Sequence, residues 1–204
     1  MIRATNVFWA SLLVFSGARA GAFPARDEAA AARARTNAET EMADRAAMLI
    51  AAWPDESRRT AEAVIEKYGS PNAIGERVLV WNRRPPWKMI LVHRADDAGL
   101  YPRRAGSLQQ ILDYDVPREK LAALDELDLG LSASPSRKEL SATNESESIN
   151  FLALNLADQV VAGRLTAAQA RTRYVRTIIL AGAGKSSPLM AGLTFVPRGP
   201  DGRP

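Results

Sequence analysis

Apolar positions change period several times along this chain of 204 residues, and each change marks an expected element. From Ala38 they recur at three- and four-residue spacing (Met42, Ala46, Leu49, Ile50), and Trp53-Pro54 ends the run. A second helix is predicted over about Asp55–Tyr68, with Ala61, Val64, Ile65 and Tyr68 as its apolar stripe and Gly69 as a left-handed cap. The period then shortens to two. Arg77–Asn82 and Trp87–Arg94 read as strands joined by Arg83-Arg84-Pro85-Pro86. Leu79 and Trp81 share one face, as do Ile90 and Val92; the interleaved Val78, Val80, Met89 and Leu91 are apolar too, so both faces are expected to be covered. Leu108–Tyr114 fits a strand or a helix. Pro117 opens a helix running to about Leu129, with Gly130 beyond it, and Ser132–Ser136 reads as a linker. Thr143–Ala162 is the strongest helix signal; its second half (FLALNLADQVVA) is apolar nearly all round, as in a helix buried among others. Thr166 caps a last helix to about Leu180, with Arg171, Arg173 and Arg176 among its polar positions.

These elements predict an α+β fold, with a small antiparallel sheet (a hairpin over about 77–94) packed against a helical bundle. One domain is expected over 37–180, preceded by an alanine-rich flexible leader at 21–36. A loose tail rich in Gly, Pro, Lys and Ser is expected over 181–204. No internal repeat is visible.

Residues 1–20 are of another kind. Met1-Ile2-Arg3 is a positive start, Val7–Gly17 is almost wholly apolar, and Ala18-Arg19-Ala20 has the small residues a signal peptidase reads. The apolar run is about half the ~20 residues that span a bilayer. A signal peptide cleaved after Ala20 is therefore expected, leaving an exported chain (periplasmic or extracellular) with no integral membrane segment. Cysteine is absent, which excludes a thiol nucleophile, zinc–thiolate and iron–sulfur sites, and an amino-terminal lipidated cysteine. A domain of this size can be stable by packing alone. The net charge is +4; residues 1–20 hold Arg3 and Arg19 and no acid, so the remainder carries 25 basic and 23 acidic groups. That near-neutral balance argues against a nucleic-acid partner.

No catalytic signature survives inspection. Gly182-Ala183-Gly184-Lys185-Ser186 lacks the first glycine of a phosphate-binding loop, since Ile179 stands there, and it follows a helix rather than a strand. His93 is the only histidine, so no multi-histidine metal site exists; in a strand it reads as a half-exposed packing residue. No serine sits in a Gly-x-Ser-x-Gly elbow, and Ser-x-x-Lys does not occur. Carboxylates cluster at Glu139, Glu145 and Glu147 and at Asp113 and Asp115. On a helix, Glu147, Asn150 and Asp158 fall along one side, with Asn155 about 100° around from Leu154. Such carboxylates can bind a cation or work as acid and base. The plainer reading, preferred here, makes Asn150 and Asn155 buried polar groups bonded to nearby backbone, with Glu145 and Glu147 complementing the helix amino end. In the hairpin, Trp81, Arg83, Arg84, Trp87, Lys88 and Arg94 interleave rings and cations. That surface suits a protein, peptide or envelope component, with Trp81, Trp87, Lys88 and Arg94 as contact residues. The alternative places both tryptophans in the core and leaves the arginines to solvate a turn.

Several stretches together resemble a family of exported bacterial proteins of unknown function: Tyr68-Gly69-Ser70-Pro71, Trp81, Pro86-Trp87-Lys88, Tyr114-Asp115-Val116-Pro117, Glu139-Leu140-Ser141-Ala142 and Glu147–Ala157. The resemblance covers roughly 55–175 and implies export and a single domain, with no catalytic residues to carry over. The expectation is an exported, non-catalytic binding protein without metal or cofactor. Its rivals are an envelope hydrolase using Glu145, Glu147 or Asp115, and a structural protein that self-associates through the buried helix.

Overall fold

A computed structural model describes residues 25–95 and 106–197. The expected signal peptide and residues 198–204 lie outside that range. The chain divides into two compact units, residues 1–36 and 37–204. Where the leader was expected, residues 25–36 instead form the first part of helix α1 (Ala25–Ile50), because an alanine-rich run has high intrinsic helix propensity. Within 37–204, Ala46 and Ile50 of α1 are buried.

Helix α2 (Asp55–Tyr68) has Asp55 and Glu56 in its first turn and Lys67 in its last, each complementing the helix dipole. Gly69 ends it at φ 77°. Strands β1 (Ala73–Gly75), β2 (Val78–Arg84), β3 (Trp87–His93) and β4 (Leu108–Asp113) follow. After a turn at Arg118–Lys120 come helix α3 (Leu121–Leu127) and strands β5 (Leu131–Ser134) and β6 (Glu139–Asn144). Helices α4 (Glu147–Val161), α5 (Ala167–Gly182) and α6 (Pro188–Ala191) complete the described chain. Ser146 caps α4 by accepting from the Ile149 amide, and Thr166 with Gln169 forms a capping box on α5.

The α+β class is as expected, but the sheet is larger than one hairpin. Six strands lie in the order β1-β2-β3-β4-β6-β5, each pair antiparallel. The segment read as a linker is the β5–β6 hairpin, and Leu108–Asp113 is a strand at the centre. Strict alternation explains the latter: Leu108, Gln110 and Leu112 are buried while the residues between them are half-buried.

Register aligns the inward residues in rows. One row is Leu79, Val92, Leu108 and Asn144; the next is Trp81, Ile90, Gln110, Ala142 and Leu131. Helix α4 packs over them with Leu152, Leu154 and Leu156 fully buried, the setting its all-round apolar sequence requires. The opposite row (Val80, Leu91, Gln109, Thr143) belongs to the second face, where Val78, Val80, Met89, Leu91 and Ile111 are only half-buried. Those alternate apolar residues are covered less completely than the inward rows.

The expected loose tail is anchored as far as Thr194. Asn155, fully buried in α4, donates from Nδ2 to the carbonyls of Leu189 (2.9 Å) and Gly192 (2.8 Å). Its Oδ1 accepts from the Thr194 amide (2.7 Å) and hydroxyl (2.9 Å). One side chain thus satisfies the backbone of a Gly- and Pro-rich segment that has little secondary structure to do so itself. Asn155→Ala should cost about 2–3 kcal/mol, from buried groups left unpaired. Hydrogen exchange should show protection lost first across 188–194, ahead of the sheet.

Candidate functional site

The Glu147 carboxylate lies where α2, β3, β4 and the start of α4 meet. Its side chain is 18 % exposed. Oε1 accepts from the Tyr68 hydroxyl, from Trp87 Nε1 (2.7 Å) and from Gln110 Nε2 (3.0 Å). Oε2 accepts from Lys67 Nζ. Trp87 Nε1 also reaches the Tyr68 hydroxyl oxygen at 3.0 Å, and its ring stacks on Phe151 with centroids 5.1 Å apart. Glu147 is the first residue of α4, where the helix dipole also favours its charge.

Burial is the largest single influence on this carboxyl and pushes its pKa up, but the donors Lys67, Tyr68 and Trp87 together outweigh burial and hold it below the ordinary value. Burial, and then the neighbouring carboxylate, push the Tyr68 hydroxyl well above the usual tyrosine range. The proton therefore stays on the tyrosine. Glu147 is a fixed anion, unsuited to giving a proton near neutral pH.

The network continues through the core. Gln110 Oε1 accepts from Asn150 Nδ2 (2.9 Å), which also reaches the Leu108 carbonyl (3.1 Å). Asn150 Oδ1 accepts from Asn144 Nδ2 (3.0 Å), which lies 3.3 Å from the Leu129 carbonyl. Asn150 thus bonds backbone, as the plainer reading expected, and two further side chains besides. Gly106 makes room at the end of this chain of bonds: a Cβ there would lie 2.1 Å from the Asn144 carbonyl carbon. Any side chain at 106 would displace the backbone leading into α4.

Beside Glu147 lies a cavity of about 340 Å³ between α2, β4 and the start of α4. Ala63, Val64 and Leu108 give it an apolar lining, and Glu56, Arg59, Lys67 and Glu145 add charge. A wider cavity of about 910 Å³ lies at the other end of α4, with Tyr114, Asp115, Asp158, Arg164 and Phe195 among its walls. There Asp158 accepts from Tyr114 (2.9 Å) and pairs with Arg164.

The hairpin residues meet different fates. Trp81 and Trp87 are 0 % and 2 % exposed, so their rings are core and cannot form a contact surface. The reason is the carboxyl end of α2, whose carbonyls need donors. Trp81 Nε1 donates to Gly69 O (2.8 Å) and Arg84 Nε to Tyr68 O (3.1 Å). Lys88 lies on the far face of the sheet, bonded to Asp113 (2.7 Å) and Glu139 (3.1 Å), which oppose each other across β4 and β6. Arg94 follows β3, its amide donating to Arg77 O (3.0 Å). The four predicted contact residues thus fall in three places.

The carboxylates of the rival hydrolase do not converge. Glu145 and Glu147 line one cavity, whereas Asp115 lines the other and pairs with Lys138 at 3.2 Å. His93 faces Gln109 at 3.2 Å in the row opposite Gln110. Among the described residues, no cluster of three or more potential metal ligands occurs. Sequence reasoning missed Lys67, Tyr68, Gln110 and Asn144. Gln110 carried a usable signal, since a polar residue between Leu108 and Leu112 in an inward row requires a buried partner. Comparison with protein families, curated proteins and solved structures finds no match for this chain.

Because the carboxyl's folded pKa is lowered, its stabilising contribution is present above the unfolded value of 4.5 and is lost as pH falls through the folded one. Glu147→Gln should cost about 2–4 kcal/mol at neutral pH and flatten the acid limb of a stability–pH curve measured by denaturant titration. Lys88→Met should leave Asp113 and Glu139 facing each other across the sheet. A loss of about 0.5–1 kcal/mol, larger in low salt, is expected from chemical denaturation.

Proposed function

We propose that this chain is an exported, non-catalytic binding protein that holds a small ligand with an apolar body in the cavity between α2, β4 and the start of α4. The observation that carries this reading is a cavity of about 340 Å³, apolar in its lining and charged at its edge, beside a carboxylate fixed by protein donors. Its volume and lining suit a small organic molecule. A carboxylate with three donors on one oxygen and an ammonium on the other can orient a ligand but is not equipped to move a proton. The wider cavity is a weaker candidate, because its lining is more polar and offers less to an apolar body.

Export rests on the pattern of residues 1–20 and on the resemblance given above. No described helix is long and apolar enough to cross a membrane. The partner moves from the hairpin to the cavity in this reading, since the hairpin tryptophans are buried. Self-association through the apolar helix has no support, because α4 is covered by this chain's own elements.

Ala63 is exposed on α2 and lines the cavity, so Ala63→Phe fills it without disturbing the core. The neutral fluorophore N-phenylnaphthylamine should brighten on mixing with the unaltered chain and lose most of that response with Ala63→Phe at unchanged melting temperature. Equal responses from both proteins would remove this cavity as the binding site.

A further inference from the structure

The two oxygens of Glu147 are held in different ways, and the difference points to a ligand class. Oε1 is saturated by Tyr68, Trp87 and Gln110, three neutral donors of which Trp87 and Gln110 are buried. Those donors favour the ionised form, since hydrogen bonds to a charged carboxylate stabilise it, and a cation at the other oxygen adds to them. Oε2 is held by Lys67, whose side chain is 55 % exposed. A lysine so exposed keeps much of its rotamer freedom and can swing into water at little cost, its ammonium being strongly hydrated.

Lys67 and Glu147 both line the cavity whose remaining lining includes Ala63, Val64 and Leu108. The cavity therefore offers an apolar lining, a carboxylate beside it, and an alkylammonium already resting on that carboxylate. We infer that the ligand is a small primary amine, a protonated alkylammonium compound whose apolar body fills the chamber while its ammonium replaces Lys67 on Glu147 Oε2. Lys67 is in effect an internal stand-in for the ligand's head group. The charge at the edge agrees: Glu56, Glu145 and Glu147 outnumber Arg59 and Lys67. A carboxylate ligand of the same length would bring a like charge to Glu147, and an alcohol would keep a hydrogen bond to it but forgo the ion pair. This inference rests on the cavity being the binding site and adds the chemistry of its occupant.

The test titrates the full chain, near neutral pH, with hexylamine, hexanol and hexanoate, which share a body and differ at one end. Calorimetry should rank hexylamine at least tenfold tighter than hexanol, with hexanoate weakest. Lys67→Met removes the internal competitor and should tighten hexylamine severalfold, and hexanol by a smaller factor. Glu147→Gln should bring hexylamine down to the level of hexanol; retained hexanol binding would certify that the chamber has survived the substitution. If hexanol binds as well as hexylamine, or hexanoate binds best, and Ala63→Phe abolishes that binding, the amine inference fails while the cavity reading stands. If none of the three probes binds, both fail together.

Discussion

A carboxylate withdrawn from water must be given donors, and at Glu147 they come from three other elements: Lys67 and Tyr68 from α2, Trp87 from β3 and Gln110 from β4. Four pieces of the chain are thereby located against one group. The consequence travels further because a carboxylate only accepts. Gln110 must turn its amide nitrogen toward Glu147, which leaves its oxygen for Asn150; Asn150 donates there and so presents its own oxygen to Asn144. The orientation of each amide along the core follows from the charge at its head. Loss of that charge would remove the reason for the whole sequence of bonds.

The hairpin illustrates how one residue pattern serves a different physical end from the one it suggests. Rings interleaved with cations suit a recognition surface, yet here they close the carboxyl end of α2. Trp81 and Arg84 supply the donors that its last carbonyls lack, while Trp87 contributes its indole N–H to Glu147 and its ring face to Phe151. Lys88 keeps its charge in partial contact with water and spends it between two opposed carboxylates. Tryptophan supplies both a large apolar body and a donor, and a helix terminus docked on a sheet needs both.

Much of the fold was legible because it rests on local periodicity. The helices α2, α4 and α5 and the strands β2 and β3 lie close to where apolar spacing, Ser/Thr caps and the left-handed Gly69 place them. β5 and β6 were not legible. Their residues are small and polar (Leu131–Ser134, Glu139–Asn144), and they become strands only because β4 offers an unsatisfied edge to pair with. The anchored tail is a similar case: nothing within 188–194 predicts order, and Asn155 imposes it from α4.

What the sequence determined alone was the α+β class, the position of most helices, the burial of α4 and the exclusion of cysteine and multi-histidine chemistry. Each of these depends on residue type and on spacing within one element. Tertiary structure decided the rest: which of five neighbouring carboxylates gathers donors from three other elements, which face of the hairpin carries its tryptophans, and that a cavity lies against α2. Lys67 and Glu147 are 80 positions apart in sequence and meet at one oxygen atom. No period within a helix or a strand encodes such a meeting, because it arises from the packing of separate elements around a single charge.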